Sequence, residues 1–206
     1  MSVSRSLKLA VLGVAVVAPV VLGGCNRESG EKAQQQASAQ TSTAAIPTDP
    51  VEPKGLTGNI DYSHKGDPLP NFSLTDAAGK TTKLAAFKGK PLLVNLWATW
   101  CAPCVLELPM LDKLAETRSG EIKVLTVSQD MTGTEKVAPF LEGKGLKHLE
   151  PWLDARNDLA FQYGASTLPT TVYYDASGKE VWRYVGGHDW TTPETAKMLA
   201  EGLGKK

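Results

Sequence analysis

Val94–Pro109 reads VNLWATWCAPCVLELP. Its first four residues close an uncharged apolar run, PLLVNLW at Pro91–Trp97, rich in Leu and Val. A continuous run of that kind suits a strand buried on both faces. Beyond it, apolar residues recur at Val105, Leu108, Leu111, Leu114 and Ala115, which is helical spacing. Cys101 and Cys104 therefore sit where a buried strand gives way to a helix, with only Ala102 and Pro103 between them. A helix start offers free N–H groups and the positive end of a dipole, so it stabilises a thiolate there. In a C-x-x-C pair this lowers the pKa of the first cysteine and makes it the nucleophile. Pro103 fits the first helical turn, where its missing N–H costs nothing. Cys104, one turn on, is placed to attack a mixed disulfide formed at Cys101.

Other uses of such a pair weigh less. Haem attachment needs His directly after the second cysteine, and Val105 stands there. A structural zinc site needs about four ligands. There is no second C-x-x-C, and His64, His148 and His188 are scattered, so no metal site is assigned. A disulfide closing so short a loop removes little chain entropy, which makes a purely structural staple poor value. Copper(I) held by the two thiolates stays open as an alternative, since thiolates suit soft ions, although no Met- or His-rich patch supports it. A thiol peroxidase also stays open, but Ala98 stands three residues before Cys101 where peroxiredoxins carry Thr or Ser.

Outward from the motif the pattern alternates. NFSLTDAAGKTTKL reads as a hairpin around DAAGK. EIKVLTVSQD is a second buried strand, TEKVAPFLEGKGL a short helix ending at glycine, HLEPWLD a short strand, and ARNDLAFQYG a helix ending at Gly164. PTTVYYDASGKEVWRYVGG is a hairpin around DASGK, and TTPETAKMLAEGL a last helix with a Thr cap and Pro193 in its first turn. Strand and helix alternation closed by a hairpin and a helix predicts an α/β fold with a mixed central sheet flanked by helices, and an N-terminal β-hairpin extension. The chain has 206 residues, 42% of them hydrophobic, which is enough for a substantial core in one domain or two. Lys+Arg 22 against Asp+Glu 22 gives no basic face for nucleic acid, and none is expected as a partner. Three cysteines are too few for a disulfide-rich scaffold.

The N-terminus reads as an address. Arg5 and Lys8 precede an uncharged stretch from Leu9 to Gly24 that is broken by Pro19 and is short for a membrane span. LGGC, Leu22–Cys25, resembles the bacterial lipobox. By that resemblance residues 1–24 are a signal peptide and Cys25 becomes the lipid-modified first residue, tying the chain to a membrane outside the cytoplasm. An uncleaved anchor helix is the alternative. Residues 25–57, rich in Gln, Ala, Ser, Thr and Pro, lack the apolar side chains to offset ordering entropy and read as a lipidated flexible tether. Residues 58–206 form the folded domain.

From about Pro68 to Leu203 the chain resembles the TlpA/ResA/CcmG group of membrane-tethered thioredoxin-like proteins. The likeness rests on VNLWATWCAPCVLELP, on LPTTVYYDASGKEVWRYVGGHDW, and on the N-terminal hairpin NFSLTDAAGKTTKLAAFKGK. The resemblance implies a thioredoxin-like fold and a dithiol–disulfide oxidoreductase, usually a reductant, acting in the periplasm on disulfides of client proteins. Its typical clients belong to cytochrome c maturation or copper-site assembly. It also implies a membrane thiol-reducing electron donor, no cofactor, and a monomer.

Carried over position by position, Cys101 is the attacking and Cys104 the resolving cysteine. Trp100 matches the tryptophan beside the motif, although ordinary core would also hold one. Pro169, after Thr167 and Leu168, matches a cis-proline facing the disulfide, with the backbone before it open to a substrate peptide; together with Trp100 and Pro103 these are the candidate substrate-binding residues. Glu107, one turn after Cys104, matches a glutamate near the dithiol and is a candidate catalytic group able to take the Cys104 proton; a solvated helix glutamate is the alternative reading. Asn95, six residues before Cys101, stands where thioredoxins carry a buried aspartate, so proton transfer of that type is in doubt and weight moves to Glu107.

Overall fold

Leu92–Trp97, here β4, is buried at every position, as a strand covered on both faces must be. The computed structural model describes residues 55–204. The expected signal peptide, Cys25 and nearly all of the expected tether lie outside the described residues. Around β4 the chain builds β1 (Gly58–Asp61), β2 (Ser73–Thr75), β3 (Thr81–Lys83), a 3₁₀ turn (Leu84–Phe87), α1 (Ala102–Thr117), β5 (Lys123–Ser128), α2 (Thr134–Gly143), β6 (Trp152–Leu153), α3 (Asp158–Tyr163), β7 (Thr170–Tyr174), β8 (Glu180–Gly186) and α4 (Pro193–Ala200).

The strands form one eight-stranded mixed sheet in the order β1-β8-β7-β4-β5-β6-β2-β3. β4, β5 and β6 run parallel, as the helical crossovers α1 and α2 between them require. β7 lies antiparallel to β4, and β8 antiparallel to β7, through the expected hairpin. The β2–β3 hairpin joins the other side of the sheet through one pairing of Thr75 with Leu153. β1 was not legible in the sequence. Gly-Asn-Ile-Asp has no alternating apolar face, and its pairing with β8 comes from backbone bonds across a register that sets Gly58 against Gly186.

Alternate residues of the sheet feed two cores. One holds Leu93, Trp97, Leu108, Leu111, Tyr173, Trp182 and Leu199, with α1 and α4 laid over the sheet. The other holds Leu74, Leu84, Val94, Leu96, Leu125, Leu159 and Tyr174 on the opposite face. At about 25 cal/mol per Å² of apolar surface removed from water, burying each such side chain contributes about 2 kcal/mol. The α1 stripe differs from the expected one. Cys104, Glu107, Leu108, Leu111 and Leu114 are the buried positions, while Val105 and Ala115 are only half-buried. The helix is thus turned so that a carboxylate faces the core. Pro109 lies inside α1, on its exposed side.

Candidate active site

Cys101 is the N-cap of α1, and its sulfur accepts the Cys104 N–H at 3.4 Å. Pro103 falls in the first turn, so no unpaired N–H is created there. The two cysteines form a disulfide with a Cα–Cα distance of 5.3 Å. Cys101 keeps 6% of its surface in solvent and Cys104 none, so an incoming sulfur can reach only the first. The turn before the motif is fastened from β5. Asp130 accepts from Thr99 N–H at 2.9 Å and Thr99 Oγ1 at 2.7 Å, while Ser128 Oγ donates to the same carboxylate at 2.7 Å.

Beside Cys101 lies a groove of about 580 Å³ with no charged residue in its wall. Trp100, Pro103, Met131, Ala160, Thr167 and Leu168 contribute to it. Trp100 is 71% exposed, so the alternative that placed it in the core is corrected: the strand ends at Trp97, and it is Trp97 that is buried. The Leu168–Pro169 bond is cis. Pro169 is itself buried and is not part of the groove wall, whereas Thr167 is exposed and Leu168 half-buried. The Thr167 carbonyl accepts from Thr170 Oγ1 at 2.8 Å, which leaves its second lone pair for another donor.

Glu107 is fully buried, which corrects the alternative of a solvated helix glutamate. Its Oε1 accepts from Asn95 Nδ2 at 2.7 Å. Its Oε2 accepts from the His188 N–H at 3.0 Å and the Trp190 indole N–H at 3.2 Å. Burial pushes the carboxyl up to about 7, and the bonds from His188, Asn95 and Trp190 hold it back from rising further. It sits one turn along α1 from Cys104, where i,i+3 side chains are neighbours. The His188 ring contacts Trp190 and Tyr184 and bonds Thr195 Oγ1 at 2.8 Å, so the segment after β8 is pinned over the carboxylate. Burial holds His188 below the ordinary imidazole range. Asn95 also donates to Thr171 Oγ1 at 2.9 Å.

Sequence reasoning missed Asp130, Met131, His188 and Trp190. Each reaches the site from 30 to more than 80 positions away in the chain, as with the Thr99–Asp130 and Glu107–Trp190 bonds, so no local periodicity marks it. The one available signal was the HDW run after the last strand. Among the described residues no group of His, Cys, Asp or Glu is arranged to hold a metal ion.

An oxidised C-x-x-C at the N-cap of a helix, on a mixed sheet sandwiched by helices, with Leu168 of the cis Leu168–Pro169 bond in the wall of the same groove, defines a dithiol protein of thioredoxin-like fold. Residues 64–199 match the Redoxin family, and the chain belongs to it. It is similar to the "Thiol-disulfide oxidoreductase ResA" of Bacillus thuringiensis strain Al Hakam, 32% identical over 154 residues, covering 74% of this chain and 84% of the relative. It is likewise similar to the "Thiol:disulfide interchange protein DsbE" of Vibrio cholerae, 33% identical over 144 residues, covering 66% of this chain and 76% of the relative. Among solved structures, a putative DsbE from Chlorobium tepidum matches with a TM-score of 0.59 at 26% identity, covering 68% of this chain and 98% of that one. The protein is a thiol–disulfide oxidoreductase, and members of its family act on disulfide-containing client proteins.

Proposed function

We propose that this oxidoreductase is a membrane-tethered reductant working outside the cytoplasm, with Cys101 attacking and Cys104 resolving. The observation that carries the division of roles is the asymmetry of the pair: Cys101 reaches solvent at a helix N-terminus and Cys104 is sealed beneath it. The Cys101 thiolate attacks a client disulfide, forming one S–S bond and expelling one client thiolate. Cys104 then attacks Cys101 Sγ, the second client thiolate leaves, and the chain is left with the Cys101–Cys104 disulfide. Two electrons pass to the client. Glu107 takes the Cys104 proton and passes it to solvent, while the released client thiolates take up protons from water.

Trp100, Pro103, Thr167 and Leu168 hold the client segment in the groove, and Pro169 shapes the loop that carries Thr167 and Leu168. Residues 1–24 direct export, lipid on Cys25 anchors the chain, and residues 25–57 hold the domain of residues 58–206 away from the bilayer. A membrane thiol-reducing protein returns electrons to the pair, and the clients are of the cytochrome c maturation or copper-site type. Ala-Pro between the cysteines does not by itself set the direction of exchange. Insulin-disulfide reduction and a measured reduction potential test it. Catalysed reduction with a potential near that of thioredoxin, about −270 mV, is expected, whereas one near about −120 mV makes the chain an oxidant. Absent exchange with tight copper(I) binding would replace this reading with a metal-handling one.

A further inference from the structure

Trp100 at 71%, Met131 at 78% and Phe161 at 87% are the most exposed large apolar side chains among the described residues. Two of these three, Trp100 and Met131, stand in the wall of the groove beside Cys101. Apolar surface left in water next to a reacting group is surface that a partner gains free energy by covering.

The chain holds these two side chains by their roots. Gln129 N–H donates to the Trp97 carbonyl at 2.8 Å, and Thr99 N–H and Oγ1 donate to Asp130 at 2.9 and 2.7 Å. Trp100 and Met131 are the residues directly after Thr99 and Asp130. They therefore leave two strand ends that are tied together, as two lips of one opening, and Cys101 follows at once on Trp100. The Asp130 carboxylate is buried and accepts from three donors, so the charge beside Met131 is turned inward. The groove wall itself carries no charged residue. Cys101 keeps only 6% of its surface in solvent, so a client sulfur that reaches it draws its neighbouring residues into this opening. Those neighbours follow at about 3.3–3.6 Å per residue in an extended segment. A large apolar side chain there meets the Trp100 ring and the pliable Met131 thioether, which adapts to aliphatic and aromatic shapes alike. A charged one loses water and finds no partner.

We propose that Met131 is a specificity-determining residue, and that together with Trp100 it selects client segments carrying a large apolar side chain beside the reacting cysteine over segments carrying a charged one. The proposal rests on the groove beside Cys101 being where the client binds, and it names the class of segment bound there. Selection is by charge and not by shape, because a thioether chain fits many apolar outlines but cannot solvate an ion.

The test is reduction of synthetic disulfide-bonded peptides by the full chain in its dithiol form, with Leu, Asp or Lys placed beside the reacting cysteine. The Leu peptide is expected to be favoured over the other two by about tenfold in kcat/KM, with the difference in KM. Met131→Lys is expected to favour the Asp peptide over the Lys peptide by about fivefold at low salt, and Met131→Glu to reverse that order. Both preferences are expected to fade at about 1 M salt. Met131→Leu is expected to keep the ranking of the unaltered chain. A merely structural role for Met131 would move the Asp and Lys peptides together and could not change sign with charge. Equal use of the peptides by the unaltered chain, or variants that shift the Asp and Lys peptides alike, overturns the proposal. Trp100→Ala separates it from the reading beneath it: a raised KM for the Leu peptide without any effect of Met131 keeps the groove and drops the selection, and an unchanged KM drops both.

Discussion

Replacing Glu107 by Gln should make the protein more stable at alkaline pH. In the unfolded chain this carboxyl ionises near its ordinary 4.5, and in the folded chain burial raises it to about 7. Between those values the folded state holds a proton that the unfolded state has lost, so stability falls as pH rises. The loss is absent below about 4.5 and complete above about 7. The interval, 7 less 4.5, is about 2.5 on the pH scale, and at about 1.4 kcal/mol per unit it corresponds to about 3 kcal/mol. Solvent screening takes little from this figure, because the side chain has no exposed surface. The substituted amide keeps an oxygen for the His188 and Trp190 donors but carries no charge to desolvate. Urea denaturation of both disulfide-intact proteins across this range is the assay. At about 2 kcal/mol per M the variant's midpoint should exceed the parent's by about 1.5 M at pH 8 and match it near pH 4.5. His188, held below its ordinary range by burial, costs stability as pH falls, but it does so in both proteins and cancels in the difference. Parallel curves for the two proteins over the whole range would refute the reasoning.

Two further outcomes follow from buried charges. Asp130→Ala removes the acceptor for Thr99 N–H, Thr99 Oγ1 and Ser128 Oγ, and at about 1.5–3 kcal/mol for a bond to a charged group it should cost about 3 kcal/mol in urea denaturation. It should also slow disulfide exchange, since the turn that presents Cys101 is then untied. Arg183 donates to both oxygens of Glu180 at 2.7 Å inside the protein, so Arg183→Ala should cost about 3–5 kcal/mol by stranding the carboxylate. The pair Arg183→Met with Glu180→Gln should cost distinctly less, which thermal or urea denaturation of the three proteins will show.

Much of the fold was legible in the sequence because its strongest signals are local. The run before the cysteines, the helix after them and the hairpins around DAAGK and DASGK each appear where expected. β1 was not legible, because an edge strand held by backbone pairing needs no side-chain pattern. The cysteines and their place at a helix start were legible for the same local reason. The surroundings of Glu107 were not. Spacing placed it one turn from Cys104, but whether that face of α1 met water or the core depended on His188 and Trp190, which reach it from a segment some 80 residues later. Trp100 shows the converse. A tryptophan between a buried strand and a buried helix reads as core, yet the turn between the two elements leaves it on the rim of the groove.

The central claim is that one cysteine meets the client and the other finishes the reaction from inside. Mass spectrometry of Cys104→Ser and Cys101→Ser variants, each treated with a disulfide-bonded peptide, tests it directly. The Cys104→Ser chain should hold one peptide stably on Cys101, because nothing remains to resolve the mixed disulfide, and the Cys101→Ser chain should hold essentially none, because Cys104 has no exposed surface. Equal labelling of the two variants, or adducts on Cys104 alone, would contradict the assignment.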